Sequence, residues 1–208
     1  MEIILYTAAA VCAYLVTGFN PAIAFSKMVY KTDIRTVGSK NPGFTNFKRS
    51  FGNKLAWWVL LIDLSKAAVC IAIFAFLFTR LGIDYAFGAA YTALFAVLGH
   101  AYPIWYGFKG GKGFLVCMSA IWFIDWRAGA VALCLMLALL FTTKYMSLAT
   151  VAAMLTCPIT LIIVHKGIGT ILLFAAAVLF MAWRHRENFS RLLKGTERKF
   201  SLKSKSSL

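Results

Sequence analysis

Long apolar runs separated by short polar segments dominate this chain of 208 residues. Seven such runs can be traced, over residues 3–25, 55–78, 85–106, 113–124, 128–141, 145–164 and 168–183. Runs of about 20 residues match the roughly 30 Å hydrocarbon thickness of a bilayer. The fourth and fifth runs are shorter, so we expect them to be tilted, partly re-entrant or merged across a misplaced boundary. The pattern predicts an all-α, polytopic integral membrane helix bundle of about seven transmembrane helices.

The composition agrees with a membrane protein, since 61% of residues are hydrophobic and the mean hydropathy is +0.77. The net charge of +15 would also suit a nucleic-acid-binding protein, but the positions of the basic residues argue otherwise. Of the 22 Lys and Arg residues, 18 lie in segments 27–54, 109–112, 144 and 184–205, which a seven-span arrangement places on one side. The positive-inside rule then predicts an N-terminus outside the cell and a cytoplasmic C-terminus.

The domain organisation is simple. The N-terminal run lacks a basic leader, so we interpret it as a permanent span rather than a cleaved signal peptide. The five cysteines lie in apolar runs without C-x-x-C spacing, which predicts neither disulfides nor zinc. Residues 1–198 are predicted to form a single membrane domain. Residues 199–208 form a basic tail, rich in Lys and Ser, for which we expect disorder on the cytoplasmic side.

The first basic segment is rich in residues that bind anions. Glycines let backbone N–H groups converge on an oxyanion, while hydroxyl, amide and guanidinium groups donate directed hydrogen bonds. The candidate phosphate-binding residues are Gly38, Ser39, Asn41, Thr45, Asn46 and Arg49. The alternative is a flexible basic loop attracted to anionic lipid headgroups.

A second glycine-rich segment, F-K-G-G-K-G over residues 108–113, follows His100 and precedes an apolar run. We expect a helix to begin there, so that its free N–H groups and dipole favour an anion. The candidates are Lys109, Gly110, Gly111 and Lys112. Alternatively, the segment is a turn with topogenic lysines, and His100 is a packing histidine.

The third cluster follows the last apolar run. If the segment is helical, His185, Asn188 and Leu192 share one face, although an amphipathic helix lying at the membrane surface would read similarly. Lys144 and Ser147 offer a weaker phosphate contact. Asp63 and Lys66, three residues apart within a span, predict an internal ion pair that shapes the wall of the site.

Together the three clusters resemble the bacterial acyl-phosphate:glycerol-3-phosphate acyltransferases. Residues 38–49 are similar to the family's G-S-G-N-x-G-x-T-N-x-x-R loop, residues 99–113 to G-H-x-F-P…F-K-G-G-K-G, and residues 185–197 to H-x-x-N-I-x-R-L-x-x-G-x-E. The departures are Lys40 for Gly, Tyr102 for Phe and Phe189 for Ile. The resemblance covers nearly the whole chain.

The resemblance implies transfer of a fatty acyl group from acyl phosphate to the 1-hydroxyl of sn-glycerol 3-phosphate, giving lysophosphatidic acid and phosphate, the first acylation of phospholipid synthesis. It implies a multi-pass protein of the bacterial cytoplasmic membrane with its active site on the cytoplasmic face. The implied partners are glycerol 3-phosphate, acyl phosphate and the bilayer, without nucleic acid or an obligate protein partner. The implied catalytic residues are Ser39, His100, His185 and Asn188, and the hydroxyl would be activated by His185 or by a substrate phosphate oxygen.

Two features of the chemistry can be anticipated. An acyl phosphate already carries a good leaving group, so the enzyme needs mainly to position two phosphates, and we expect no cofactor and no metal. The H-x-x-x-x-D signature of thioester-dependent acyltransferases is absent after His100, His165 and His185. A lipid transporter or scramblase remains an alternative, as does a membrane scaffold, although a scaffold leaves the three polar clusters unexplained.

Overall fold

The computed structural model describes residues 1–201, so most of the predicted tail, residues 202–208, lies outside the described residues. Within residues 1–201 the chain forms ten α-helices and two short 3-10 helices, without a β-strand. The α-helices are α1 Glu2–Gly18, α2 Pro21–Tyr30, α3 Phe44–Phe51, α4 Ala56–Arg80, α5 Tyr85–Ala101, α6 Phe114–Ile124, α7 Trp126–Thr143, α8 Met146–Ile163, α9 Ile168–Arg184 and α10 Arg186–Leu193. The 3-10 helices are Ile34–Thr36 and Ile104–Tyr106.

Each of the seven apolar runs contains a helix. By length and composition, five stretches of the described chain could cross a membrane: Glu2–Tyr30, Ala56–Arg80, Tyr85–Tyr106, Trp126–Thr143 and Met146–Ile163. Helix α9 joins α10 at a bend of 51° and gives a sixth if the pair is one span. Helix α6 has only 11 residues, and seven as the number of spans therefore stays a prediction.

The first apolar run is broken where the sequence predicted one continuous helix. Helix α1 ends at Gly18, and α2 begins at Pro21 with Asn20 as its N-cap. The side chain of Asn20 accepts a hydrogen bond from the backbone N–H of Ile23 at 3.0 Å, and proline is favoured in the first turn because it needs no donor there. Two local signals thus override a hydrophobic pattern that continues across the break.

Small side chains let the helices pack closely. Helix α5 is central and contacts α1, α4, α6 and α9. Its buried face includes Ala89, Ala93 and Ala96, which are fully buried. Such residues allow close approach of backbones where lipid supplies no hydrophobic driving force. Conversely, large apolar side chains such as Ile73 and Leu179 are exposed on the outside, as expected for contact with lipid.

The up-and-down order of α4 to α9 gives the bundle two ends. We call the end that carries residues 38–49, 107–113 and 185–197 the motif end. The opposite end carries the turns that follow α4, α6 and α8. There Asp125 pairs with Arg127 at 2.9 Å and with Lys166 at 3.4 Å, which ties the α6–α7 turn to the α8–α9 turn.

Candidate active site

A cavity of about 290 Å³ opens at the motif end, and all three motifs contribute to its wall. It gathers ten of the fifteen candidate residues: Ser39, Asn41, Thr45, Asn46, Arg49, His100, Lys112, Ser147, His185 and Asn188. The remaining five, which are Gly38, Lys109, Gly110, Gly111 and Lys144, do not line it. Residues that lie up to 149 positions apart in sequence thus share one site.

Four helices present their N-terminal ends to this cavity. The first residues of α3, α6 and α8 line it, and the N-cap of α10, His185, lines it as well. Unpaired N–H groups give each helix N-terminus a partial positive charge. Together with the side chains of Arg49 and Lys112, these ends make the cavity suited to a strongly anionic ligand.

The first motif is organised around Asn46. Its side-chain oxygen accepts a hydrogen bond from the N–H of Ser39 at 2.9 Å, and its amide nitrogen donates to the carbonyl of Val37 at 3.1 Å. Gly38 has a φ of 61°, and a β-carbon there would collide with the side-chain oxygen of Asn46. Asn46 and Gly38 therefore shape the loop, while Ser39, Thr45 and Arg49 remain available to a ligand.

The second motif departs from the expected backbone anion site. The N–H of Gly110 donates to the carbonyl of Ala101 at 3.1 Å, and that of Gly111 donates to the carbonyl of His100 at 3.0 Å. Both N–H groups are therefore satisfied within the protein and face away from a ligand. The expectation that these two glycines cradle an anion is replaced by a packing role, because the loop folds back on the end of α5.

Two arginines that the sequence analysis did not select hold this loop in place. Arg35 donates to the carbonyl of Tyr106 at 2.7 Å, and is itself oriented by Asp33 at 2.7 Å. Arg184 donates to the carbonyl of Gly111 at 3.1 Å. The hydrogen bonds from Arg35 hold the pKa of Asp33 well below its usual range. A basic residue that binds backbone leaves no sequence pattern, which explains why both were missed.

The two lysines of the second motif differ in environment. Lys109 is exposed, and its carbonyl accepts from Arg35 at 3.3 Å. Lys112 lines the cavity and donates to the side-chain oxygen of Asn188. Burial, reinforced by the nearby Arg191, lowers the pKa of Lys112 to about 8. Of the two lysines, Lys112 is placed to contact a ligand.

The third motif contains the short helix α10, which is the case in which the sequence analysis placed His185 and Asn188 on one face, and Glu197 anchors this helix. Glu197 accepts hydrogen bonds from Asn188 at 2.7 Å, Ser147 at 2.9 Å and Arg191 at 2.8 Å. Burial opposes ionisation of Glu197, but these bonds outweigh it and lower the pKa. The hydroxyl of Ser147 is thus committed to Glu197. Glu197 is the last position of the third motif, but the sequence analysis did not select it as a candidate site residue.

Lys144 sits away from the cavity wall. It is exposed, it ends α7 with a φ of 62°, and its carbonyl accepts from the N–H of Phe200 at 2.6 Å. Its predicted phosphate contact therefore has no support from this arrangement.

Deeper in the cavity the charged groups are paired. The predicted Asp63–Lys66 ion pair is confirmed, with 2.7 Å between Lys66 Nζ and Asp63 Oδ1, and Asp63 lines the cavity. His185 Nδ1 lies 2.8 Å from the carbonyl of Met181. Because a carbonyl can only accept, Nδ1 carries the proton and Nε2 is the accepting nitrogen of the neutral ring.

Apart from two glycines and Thr150, the rest of the wall is apolar, contributed by Phe44, Leu60, Phe114, Leu115, Met136 and Met146. A polar anion site and an apolar wall therefore meet in one cavity. Among residues 1–201, no three His, Cys, Asp or Glu side chains are grouped to hold a metal ion.

The sequence profile of the glycerol-3-phosphate acyltransferases matches residues 7–195. The chain belongs to the glycerol-3-phosphate acyltransferase family. A glycerol-3-phosphate acyltransferase of Rhodopseudomonas palustris is 36% identical over 93% of this chain and 95% of its own length. One of Clostridioides difficile is 34% identical over 98% and 99%. The chain is accordingly an enzyme, and the prediction that it is a glycerol-3-phosphate acyltransferase is confirmed.

Solved structures of the family agree with the fold. The crystal structure of PlsY, an integral membrane glycerol 3-phosphate acyltransferase, in its glycerol 3-phosphate form superposes with a TM-score of 0.86 at 28% identity. That match covers 94% of this chain and 96% of the other. The lysophosphatidic acid form gives a TM-score of 0.82. The all-helical integral membrane fold of this glycerol-3-phosphate acyltransferase is thereby confirmed.

Proposed function

We propose that this acyltransferase uses acyl phosphate as its donor, and that it acylates the 1-hydroxyl of glycerol 3-phosphate to give lysophosphatidic acid and phosphate. The observation that carries the proposal is that one cavity combines a cationic end, lined by helix N-termini, with an apolar wall. A solved relative in a glycerol 3-phosphate form, and the same relative in a lysophosphatidic acid form, support the acceptor and the product.

The cationic end suits two phosphates brought close together. Arg49 can bind a phosphate in bidentate fashion, and Lys112 adds a point charge on the opposite motif. The helix N-termini supply further positive potential without having to reorganise during the reaction. Such a site offsets the repulsion between the phosphate of the acceptor and that of the donor, which is the main barrier to their approach.

The apolar wall suits an acyl chain. Leu60, Leu115 and Met136 add apolar surface to the same cavity. A membrane-embedded donor could keep its tail beside these residues while its phosphate head enters the polar end. The tail would then contribute burial, at about 25 cal/mol for each Å² of apolar surface, and fix the carbonyl near the acceptor.

His185 is suited to activate the acceptor hydroxyl. Its Nδ1–H bond to the carbonyl of Met181 leaves Nε2 as a proton acceptor, and the ring lines the cavity. The hydroxyl oxygen would attack the acyl carbonyl as its proton passes to Nε2 of His185, and phosphate would leave with the electrons of the broken acyl–oxygen bond. Asn188, held between Lys112 and Glu197, would orient the acceptor.

The donor is tested by measuring lysophosphatidic acid formation by the purified protein with acyl phosphate, acyl-CoA and acyl carrier protein at equal concentrations. We expect turnover with acyl phosphate and little with either thioester, because a thioester is less activated and the loops at the motif end are short. A chelator should leave the rate unchanged. Efficient turnover with acyl-CoA, or strict dependence on a divalent ion, would contradict the mechanism.

We further propose that the motif end faces the cytoplasm of a bacterial cell, in its cytoplasmic membrane. The proposal is supported by the segregation of 18 of 22 basic residues. It would place the cavity where a soluble phosphate ester can reach it, with the bilayer supplying the acyl donor.

A further inference from the structure

Lys66 is surrounded by three acceptors at the base of the cavity. Its ammonium nitrogen lies 2.7 Å from Asp63 Oδ1, 2.5 Å from the carbonyl of Phe19 and 3.2 Å from His100 Nδ1. The carbonyl of Phe19 is available because α1 ends just before it. All three side chains, of Asp63, Lys66 and His100, are buried.

These contacts decide which nitrogen of His100 carries the proton. An ammonium group has donors and no acceptor, so His100 Nδ1 must accept from Lys66. Asp63 Oδ1 lies 3.7 Å from Nδ1, which is too far for a hydrogen bond that would place the proton there instead. The neutral ring therefore carries its proton on Nε2.

The Nε2–H group is the uncommitted donor of the His100 ring. It makes no hydrogen bond to any part of the chain that the structure describes, and His100 lines the cavity. A β-carbon on Gly111 would collide with Nε2, so glycine at that position leaves room for the imidazole ring. His185 presents the opposite tautomer, with Nε2 as an acceptor.

We propose that Lys66, held by Asp63, is a positioning residue that fixes His100 as the Nε2–H tautomer and makes it a neutral hydrogen-bond donor to an oxygen of the acyl donor. The inference deepens the proposed function and rests on acyl transfer taking place in this cavity. The two histidines then act as a complementary pair. His185 takes the proton of the glycerol 3-phosphate hydroxyl, and His100 donates a hydrogen bond to the oxygen of the acyl donor on which negative charge develops.

The arrangement is costly unless it serves such a purpose. A buried ion pair within a span is commonly no more stable than apolar side chains of the same volume. Asp63 makes no other hydrogen bond within the described residues. The ion pair therefore adds little to folding that an apolar pair would not, and its distinctive effect is to present an ammonium donor to His100.

The tautomer can be measured directly in the full-length protein labelled with ¹⁵N-histidine. Nitrogen chemical shifts distinguish a protonated from an unprotonated ring nitrogen, and the signals of His100 are identified by their absence from the spectrum of His100→Gln. We expect His100 to carry its proton on Nε2 in the absence of any donor substrate. A proton on Nδ1 would overturn the proposal whatever the identity of the acyl donor, so this result is independent of the proposed donor.

Kinetics test the consequence. The double variant Asp63→Leu/Lys66→Met removes the ammonium group that donates to His100, and it leaves no unpaired buried charge. We expect it to lose the Nε2–H preference of His100 and to reduce kcat by about tenfold or more, with KM for glycerol 3-phosphate changed by less than about threefold.

Lys54→Met, which removes an exposed lysine outside the cavity, is the matched control and should leave the tautomer and both constants unchanged. A double variant that keeps the Nε2–H tautomer and full kcat would contradict the role of Lys66. If the double variant does not fold, Lys66→Gln is used instead. Its side-chain amide retains a hydrogen-bond donor to His100, so it should keep the Nε2–H tautomer with a smaller loss of kcat. Loss of the Nε2–H preference in Lys66→Gln would count against the proposal.

Discussion

Arg49 is the residue for which charge and geometry can be separated. It lies on α3, lines the cavity and carries a planar guanidinium that can donate two parallel hydrogen bonds to a phosphate. Arg49→Lys keeps the charge and loses this geometry. We expect kcat/KM for glycerol 3-phosphate to fall by the equivalent of roughly 2–4 kcal/mol. Full activity in a normally folded Arg49→Lys protein would remove this residue from the site.

The protonation state of Lys112 should make substrate binding depend on pH. Burial lowers its pKa to about 8, so its ammonium form, which binds phosphate, is lost as the pH rises through that value. A phosphate monoester is already dianionic there, since its second pKa is about 6. We expect KM for glycerol 3-phosphate to rise above about pH 8, approaching tenfold per pH unit.

Lys112→Arg provides the control for that profile, because a guanidinium stays charged throughout the range. Its KM at neutral pH should be higher than that of the natural protein, but it should remain flat between about pH 7 and pH 9.5. A flat profile in the natural protein would show that another group governs binding.

At this scale the sequence predicted which residues meet, but not what each of them does. Ser39, Arg49, Lys112 and His185 share a cavity as expected. The amide of Asn46, however, holds the loop, and nothing in its motif distinguishes a ligand contact from a backbone contact. Lys40, where the family usually has glycine, takes a φ of 59°, so the loop keeps its left-handed turn at the cost of strain that glycine would avoid.

At the scale of elements, Glu197 couples the chain after α10 to the start of α8. Glu197→Gln replaces a charged acceptor of three hydrogen bonds with a neutral amide that also carries competing donors. Hydrogen bonds to charged groups contribute about 1.5–3 kcal/mol each. We expect kcat/KM to fall at least about tenfold because Asn188 loses its orientation. Faster proteolysis after α10 should accompany this loss.

Glu187→Gln is the matched control for that change. Glu187 lies on α10, the helix that precedes Glu197, is exposed and makes no ion pair or side-chain hydrogen bond among residues 1–201. Its substitution should leave kcat/KM and proteolysis unchanged. Equal effects of the two substitutions would mean that α10 responds to net charge rather than to the bonds of Glu197.

The helices were predictable because hydrophobic runs in a membrane protein are long and their ends are marked by charge. The break at Asn20 and the fold of the glycine loop were not. The first depends on a capping side chain within an apolar run, which a hydropathy pattern averages away. The second depends on pairing with the end of α5, so whether the N–H groups of Gly110 and Gly111 are free is decided by tertiary contacts.

For the whole molecule, the separation of charge and the structure support the same two-ended arrangement. The three motifs lie at one end, while Asp84 and Lys166 lie at the other, where both line a second cavity between the α4–α5 and α8–α9 turns. The side to which each end is exposed is predicted by the positive-inside rule.

Single-cysteine labelling of intact cells tests that orientation. The five natural cysteines are unpaired and can be replaced by alanine, although Cys70, Cys117 and Cys157 are buried and the cysteine-free protein must first be shown to be active. We expect Asn41→Cys, and a cysteine at Lys203 in the part of the tail outside the described residues, to react with an impermeant reagent only after the cells are opened. Asp84→Cys and Lys166→Cys should react in intact cells, because the 18 to 3 imbalance of basic residues predicts that their end faces outside. An impermeant reagent that reached Asn41 and Lys203 from opposite sides would require an even number of spans, and α6, with only 11 residues, would then be the first helix to reassign as re-entrant.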